Sequence, residues 1–174
     1  MIQRNFWRNV LPSVIAFAFS GVYSIVDGMF VGQGVGDAGL AAINVAWPVT
    51  ALVQALGTGL GMAAAVVLSV CIGRRDAAEE HRALGSTAVL LLLAGVLSTA
   101  LLALLYRPLL PLLGAEGSVL AYADSYTRVI VLGSLFQVLG TGLVPLLRTY
   151  DGADAAMCSM TAGFLTNVVL DALS

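Results

Sequence analysis

The stretch Leu84–Tyr106, LGSTAVLLLLAGVLSTALLALLY, decides the fold, because it carries no charged residue and its central part is polar only at Ser98 and Thr99. A helix rising about 1.5 Å per residue needs about 20 apolar residues to cross roughly 30 Å of hydrocarbon. This run is long enough, and it reads as a membrane span. Working outward, further apolar runs cover Val10–Val31, Ala41–Ile72, Leu120–Leu147 and Ala155–Ser174. The connectors between the runs, Gln33–Gly39, Gly73–Ala83, Arg107–Val119 and Arg148–Asp154, are polar or marked by Gly and Pro. None of the runs has the two-residue alternation of a barrel strand, so the expected fold is all-α, a polytopic transmembrane bundle of about five helices. The second run is too long for one upright crossing, and Pro48 within it predicts a tilt or a first turn lying at the interface.

Composition agrees. Of 174 residues, 59% are hydrophobic and 10% charged, with a mean hydropathy of +0.95, against about 45–50% apolar and about 25% charged in soluble domains. Soluble enzymes, disordered segments and nucleic-acid binders are excluded as classes. The net charge of −2 is made of eight Arg, ten Asp or Glu and no Lys, which leaves no basic patch. Cys71 and Cys158 lie apart in apolar runs without a CxxC, and read as small packing residues. Neither HExxH, GxSxG nor a Walker A motif is present, and the one histidine, His81, falls in the connector GRRDAAEEHRALG, which reads as a solvated loop. No enzyme is expected.

Arg placement sets the expected orientation. With the N-terminus inside, Arg4, Arg8, Arg74, Arg75, Arg82 and Arg148 are cytoplasmic, and Arg107 and Arg128 are outside. The basic N-terminus followed by an apolar run reads as a first span, not a cleaved leader. The chain stops at Ser174 directly after apolar residues, so it reads as cut within or just after its fifth span.

A carboxylate at mid-membrane costs about 2.5–3.5 kcal/mol and normally faces a protein interior or an aqueous cavity. Asp27 shares a helix face with Ser13, Ser20, Tyr23 and Ser24, and Asp171 shares one with Asn167, Gly163 and Ser159. Counted from Val10 and Ala155, the two aspartates lie roughly 26 Å and roughly 24 Å up helices that run the same way, at nearly equal depth. Two carboxylates and a carboxamide there suit either a small cation site or a shared proton, with structural glue between helices as the alternative. The second run carries Thr50, Gln54 and Thr58, and the fourth Ser134, Gln137 and Thr141. The third carries almost nothing polar, so it is expected to face lipid while the other four line a polar chamber. QALGTGL at Gln54–Leu60 reappears as QVLGTGL at Gln137–Leu143, a likeness best explained by chance in Gly- and Leu-rich helices. Pro12 and Pro145 can bend their helices.

The chain resembles the multidrug and toxic compound extrusion (MATE) transporters. The matching segments are Leu11-Pro12, the stretch IVDGMFVG at Ile25–Gly32, Gly73-Arg74-Arg75-Asp76, Arg148, and NVVLD at Asn167–Asp171, in order along the whole chain. The resemblance implies two six-helix lobes, of which this chain would supply most of the first and would need the sixth helix and the C-terminal lobe as partners. It also implies export of small organic cations in exchange for H⁺ or Na⁺, with no other cofactor, across the inner membrane of a prokaryote. Carried over, Asp27, Asn167 and Asp171 form the coupling-cation site, which Na⁺ could occupy. Tyr23 and Tyr126 neighbour that site, and Pro12 is the hinge. Val144 and Pro145 depart from the family, which often carries Asn before the arginine. Alternatives are a flippase of lipid-linked precursors, disfavoured because only Arg128 could meet a phosphate in the cavity, and a non-transporting membrane scaffold.

Overall fold

The computed structural model describes Val10, Leu11, Val14, Ile15, Ala18, Gly21, Val22, Ile25, Gly28, Met29, residues 32–150, Ala155, residues 157–159 and residues 161–163. Three long helices dominate: α1 (Asp37–Arg74), α2 (Ala77–Leu112) and α3 (Gly117–Thr149). Each is long and apolar enough to cross a membrane. The described residues from Val10 to Gly34 and from Ala155 to Gly163 are helical too, and no strand occurs among the described residues. The protein is an all-α, multi-pass membrane bundle.

The helices overrun the apolar runs. At about 1.5 Å per residue, the 38 residues of α1 span roughly 57 Å, so it tilts or projects beyond the hydrocarbon. The connector after α1 is not a loop, because all of it except Arg75 and Asp76 is helical. Arg75 in the left-handed region and Asp76 make the whole reversal. The amide of Arg75 donates to the carbonyl of Ile72 and that of Asp76 to Cys71, the paired bonds of a Schellman turn. Asp76 then caps α2, accepting from the amide of Glu79 at 3.0 Å. Glu79 and Glu80 in that first turn complement the positive end of the helix dipole. At the other end, α2 continues through Pro108 and Pro111, and the chain reverses over residues 113–116 with Gly114 at φ 94°.

The pairing of the helices is coherent along their length. From one end to the other, Arg107 meets Asp124, Thr99 meets Ser134, Gly95 lies against Leu135, Gly142 against Leu91, and Glu80 meets Tyr150. Numbers on α2 fall as those on α3 rise, so the two are antiparallel. α1 is parallel to α3: Gly57 lies against Val138 and Thr141, and Gly61 against Gly142. Arg74, Arg75, Arg82 and Arg148 therefore share one end of the bundle, with Arg107 and Asp124 at the other.

Lipid tails are as apolar as Leu, so burial of apolar surface drives helices together less than close packing does. The core follows that logic. Ala46, Val53, Ala123, Val138, Thr127 and Ser134 are fully buried, while the outer face of α2 stays open, with Leu93 and Leu97 60% exposed and Leu104 76%. The lipid-facing expectation for the third run thus describes one face only. On the other face Ser98 is buried and Thr99 bonds to α3. Cys71 is buried and Cys158 exposed, both as free thiols.

Candidate functional site

Polar groups gather along one flank of the α1–α3 contact. A Cβ on Gly57 would lie 2.7 Å from the Val138 carbonyl and would also meet Thr141 Oγ1. The two helix backbones therefore touch. Gln54 and Thr58 sit beside Gly57 on α1, and Gln137 and Thr141 beside Val138 on α3. Thr141 Oγ1 donates to the Gln137 carbonyl at 2.8 Å. Thr58, Gln137 and Thr141 are half-buried and Gln54 is exposed. One turn before Gln54, Thr50 Oγ1 is buried with no partner among the described residues. Tyr126 stands three turns from Gln137 on the same face of α3, 37% exposed and engaged in an interaction of its own. Neutral amides, hydroxyls and a phenol of this kind can hold the polar atoms of an organic molecule by hydrogen bonds, with the tyrosine ring as an apolar or cation–π contact.

Of the residues named for the coupling-cation site and the hinge, Tyr126 alone is placed. Asp27, Asn167, Asp171, Tyr23 and Pro12 lie outside the described residues. Around them, Val22 and Ile25 are exposed by 51% and 67%, and Gly163 has open space around it. Among the described residues no group of three His, Cys, Asp or Glu side chains could hold a metal ion. His81 is exposed, with Nδ1 2.7 Å from the Ala77 carbonyl, a contact within its own helix.

Behind the flank, α2 and α3 share a pair of hydroxyls. Thr99 Oγ1 and Ser134 Oγ are 2.7 Å apart, while each also lies within reach of a carbonyl on its own helix, Gly95 at 2.8 Å and Val131 at 2.8 Å. Two hydroxyl protons can serve only two of these three contacts, so either hydroxyl can be the donor between the helices. Sequence reading missed this contact, since Ser and Thr on a lipid-facing helix carry no mark of their partner. It also missed a cavity at the α2–α3 turn between Arg107 and Asp124. The signal there was the two opposite charges at the tips of adjacent runs.

Comparison with known proteins places this geometry. The sequence profile of the MatE family matches residues 12–173. The multidrug export protein MepA of Staphylococcus saprophyticus is 25% identical over 164 residues, covering 94% of this chain and 36% of that protein. A protein of Shewanella oneidensis named FAD transporter is 29% identical over 164 residues, again covering 94% of this chain and 36% of its own length. Among solved structures, a MOP superfamily transporter from Pyrococcus furiosus, for which reversed polarity of the binding pocket suggests a different function, superposes with a TM-score of 0.90 at 29% identity. The match covers 96% of this chain and 37% of that one. The chain therefore spans little more than a third of the relatives it matches.

Proposed function

Because the chain belongs to the MatE family, we propose that it forms the N-terminal lobe of a cation-coupled antiporter that exports small organic compounds by alternating access. The whole transporter is multi-pass, located in a prokaryotic inner membrane with its N-terminus in the cytoplasm, and does no covalent chemistry. The observation that carries this reading is the α1–α3 contact, where backbone-close packing at Gly57 sets Gln54, Thr58, Gln137 and Thr141 along one flank of apolar, membrane-length helices. Polar side chains at that depth need a polar cavity to face.

The coupling ion, H⁺ or Na⁺, would bind at Asp27, Asn167 and Asp171, with Tyr23 and Tyr126 beside it. Protonation or ion binding at these carboxylates would change the relative stability of outward- and inward-facing states, with Pro12 as the bend through which helix one responds. An ion can shift such an equilibrium only by its differential affinity for the two states. The test is Asp27→Asn in the full-length protein, assayed for ethidium efflux against an imposed proton or sodium gradient. Loss of gradient-driven efflux is expected, and unchanged coupled transport would overturn the assignment.

The substrate class is open to a second arm of the same assay. One relative is named an FAD transporter, so export of a flavin dinucleotide should be measured beside ethidium. Cation export is the expected outcome, because the polar flank of α1 and α3 carries neutral groups and no cluster of arginines that would hold phosphates. Preferential flavin export would replace the cation with an anionic substrate while leaving the transporter reading intact.

A further inference from the structure

At the end of the bundle opposite Arg74, α2 and α3 flank an open cavity of about 370 Å³ lined by Arg107, Leu110, Pro111, Leu120, Ala121 and Asp124. Arg107 is the first charged residue after the apolar run Leu84–Tyr106, and Asp124 stands one turn inside the run that begins at Leu120. Both therefore lie where hydrocarbon gives way to headgroups, whichever leaflet that is.

The pair is loosely held. Arg107 Nε lies 3.5 Å from Asp124 Oδ1 and donates to Tyr106 Oη at 3.2 Å, and the guanidinium carbon is 5.9 Å from the Tyr106 ring centre. Tyr106 is only 6% exposed, so the ring anchors the guanidinium. Its two terminal nitrogens and Asp124 Oδ2 make no hydrogen bond among the described residues. The site thus presents an unused fork of donors, an unused carboxylate oxygen a few ångströms away, and an apolar wall of Pro111, Leu120 and Ala121.

A guanidinium fork matches the two oxygens of a phosphate, and a carboxylate oxygen matches a primary ammonium. We propose that this cavity is a headgroup site for an ethanolamine phospholipid, with the phosphate on Arg107, the ammonium on Asp124 and the glycerol end of the acyl chains along Pro111 and Leu120. The opposed charges make the site neutral overall. An anionic glycerol headgroup would set its charge against Asp124 without supplying an ammonium. A choline headgroup has no N–H to donate.

Native mass spectrometry of the full-length protein in mild detergent, with phosphatidylethanolamine, phosphatidylcholine and phosphatidylglycerol of the same acyl composition, tests this. Retention of the ethanolamine lipid is expected to exceed that of the other two by roughly tenfold, the scale of one charge-assisted hydrogen bond. Arg107→Gln should abolish retention, and Asp124→Asn should erase the preference over phosphatidylglycerol. Ala121→Leu, which narrows the cavity while keeping both charges, should also lose the lipid, and far-UV circular dichroism of each variant checks that it remains helical. Excess inorganic phosphate should not displace the lipid, and displacement would reduce the site to a phosphate site only. Equal retention of the three lipids, or a preference that survives all three substitutions, overturns the proposal.

Discussion

Gly61 and Gly142 lie backbone to backbone: a Cβ on Gly61 would come 2.8 Å from the Gly142 Cα and would overlap the Gly142 carbonyl. With Gly57 against Val138, this makes residues 57–61 of α1 and 138–142 of α3 the point where the two helices cross. The likeness of the strings does not itself make this contact, because the counterparts Gly59 and Gly140 meet open space and the touching residues hold non-equivalent positions. Such closeness is how helices gain van der Waals contact where lipid offers no hydrophobic drive.

Gly61→Ala and Gly57→Ala are expected to destabilise the chain by about 1–3 kcal/mol, the cost of overpacking, because the obstacle in each case includes backbone that cannot swing aside. Gly142→Ala should cost less, since its nearest obstacle is the flexible tip of Leu91. Gly59→Ala and Gly140→Ala meet open space and should be neutral, or stabilising by up to about 1 kcal/mol from helix propensity. Thermal unfolding in detergent, followed by circular dichroism, ranks the five. Equal effects at Gly59 and Gly61 would mean that the helices do not cross there.

Buried hydroxyls divide into paired and unpaired. Thr127 is fully buried, and its Oγ1 has no partner among the described residues, whereas Ser134 Oγ meets Thr99. Thr127→Val keeps the shape and removes the unsatisfied group, so a gain of about 1 kcal/mol is expected. Ser134→Ala should instead lose about 0.6 kcal/mol, the typical worth of a hydroxyl bond between membrane helices. The two variants are compared by the same unfolding measurement, and a loss of stability in Thr127→Val would show that its hydroxyl is in use.

The apolar runs reveal the spans because hydrocarbon demands length and composition, and both are written in one dimension. Helix ends are written less clearly. The charged segment after α1 looks like a loop by composition, yet Asp76 and Glu79 are good first-turn residues and extend α2 through it. Facing is hidden as well. In GTGLG nothing distinguishes Gly59 from Gly57 and Gly61 until a partner helix selects two of the three. Ser98 and Thr99 look like incidental polarity on a lipid-facing helix until Ser134 is placed opposite. The proposed coupling residues are legible to the extent that Asp27 and Asp171 are carboxylates in apolar runs with polar neighbours on their own faces. Their mutual distance is a tertiary quantity, which helix periodicity cannot supply.

Tyr150 donates a hydrogen bond to Glu80 Oε1 at 2.5 Å, tying the end of α3 to the start of α2. That bond, with lesser help from desolvation and the carboxylate's charge, raises the phenol above its ordinary value of 10.0. Since the folded-state pKa is the higher one, the contribution is fully present below the unfolded value and is lost as pH rises through the folded one. The chain should therefore lose stability in strongly alkaline solution, and Tyr150→Phe should remove that part of the pH dependence. Phenolate absorbance at rising pH checks this, and a Tyr150 that ionises at or below its ordinary value of 10.0 would contradict it.

Arg75 holds φ 57° in a turn where glycine is the usual residue, and the opposite end of the bundle shows that usual choice in Gly114, at φ 94°. An L-residue in this region places its Cβ against a carbonyl oxygen, at a cost of roughly 1–2 kcal/mol. Arg75→Gly relieves that strain but adds backbone freedom to the unfolded chain, which offsets part of the gain. A net stabilisation of about 1 kcal/mol is expected, with Gly114→Ala losing at least as much. Both are read from unfolding midpoints of the purified chain. If Arg75→Gly is instead less stable, the exposed guanidinium contributes more than the strain it imposes, and Arg75→Ala, which keeps the strain and removes the charge, should then be the least stable of the series.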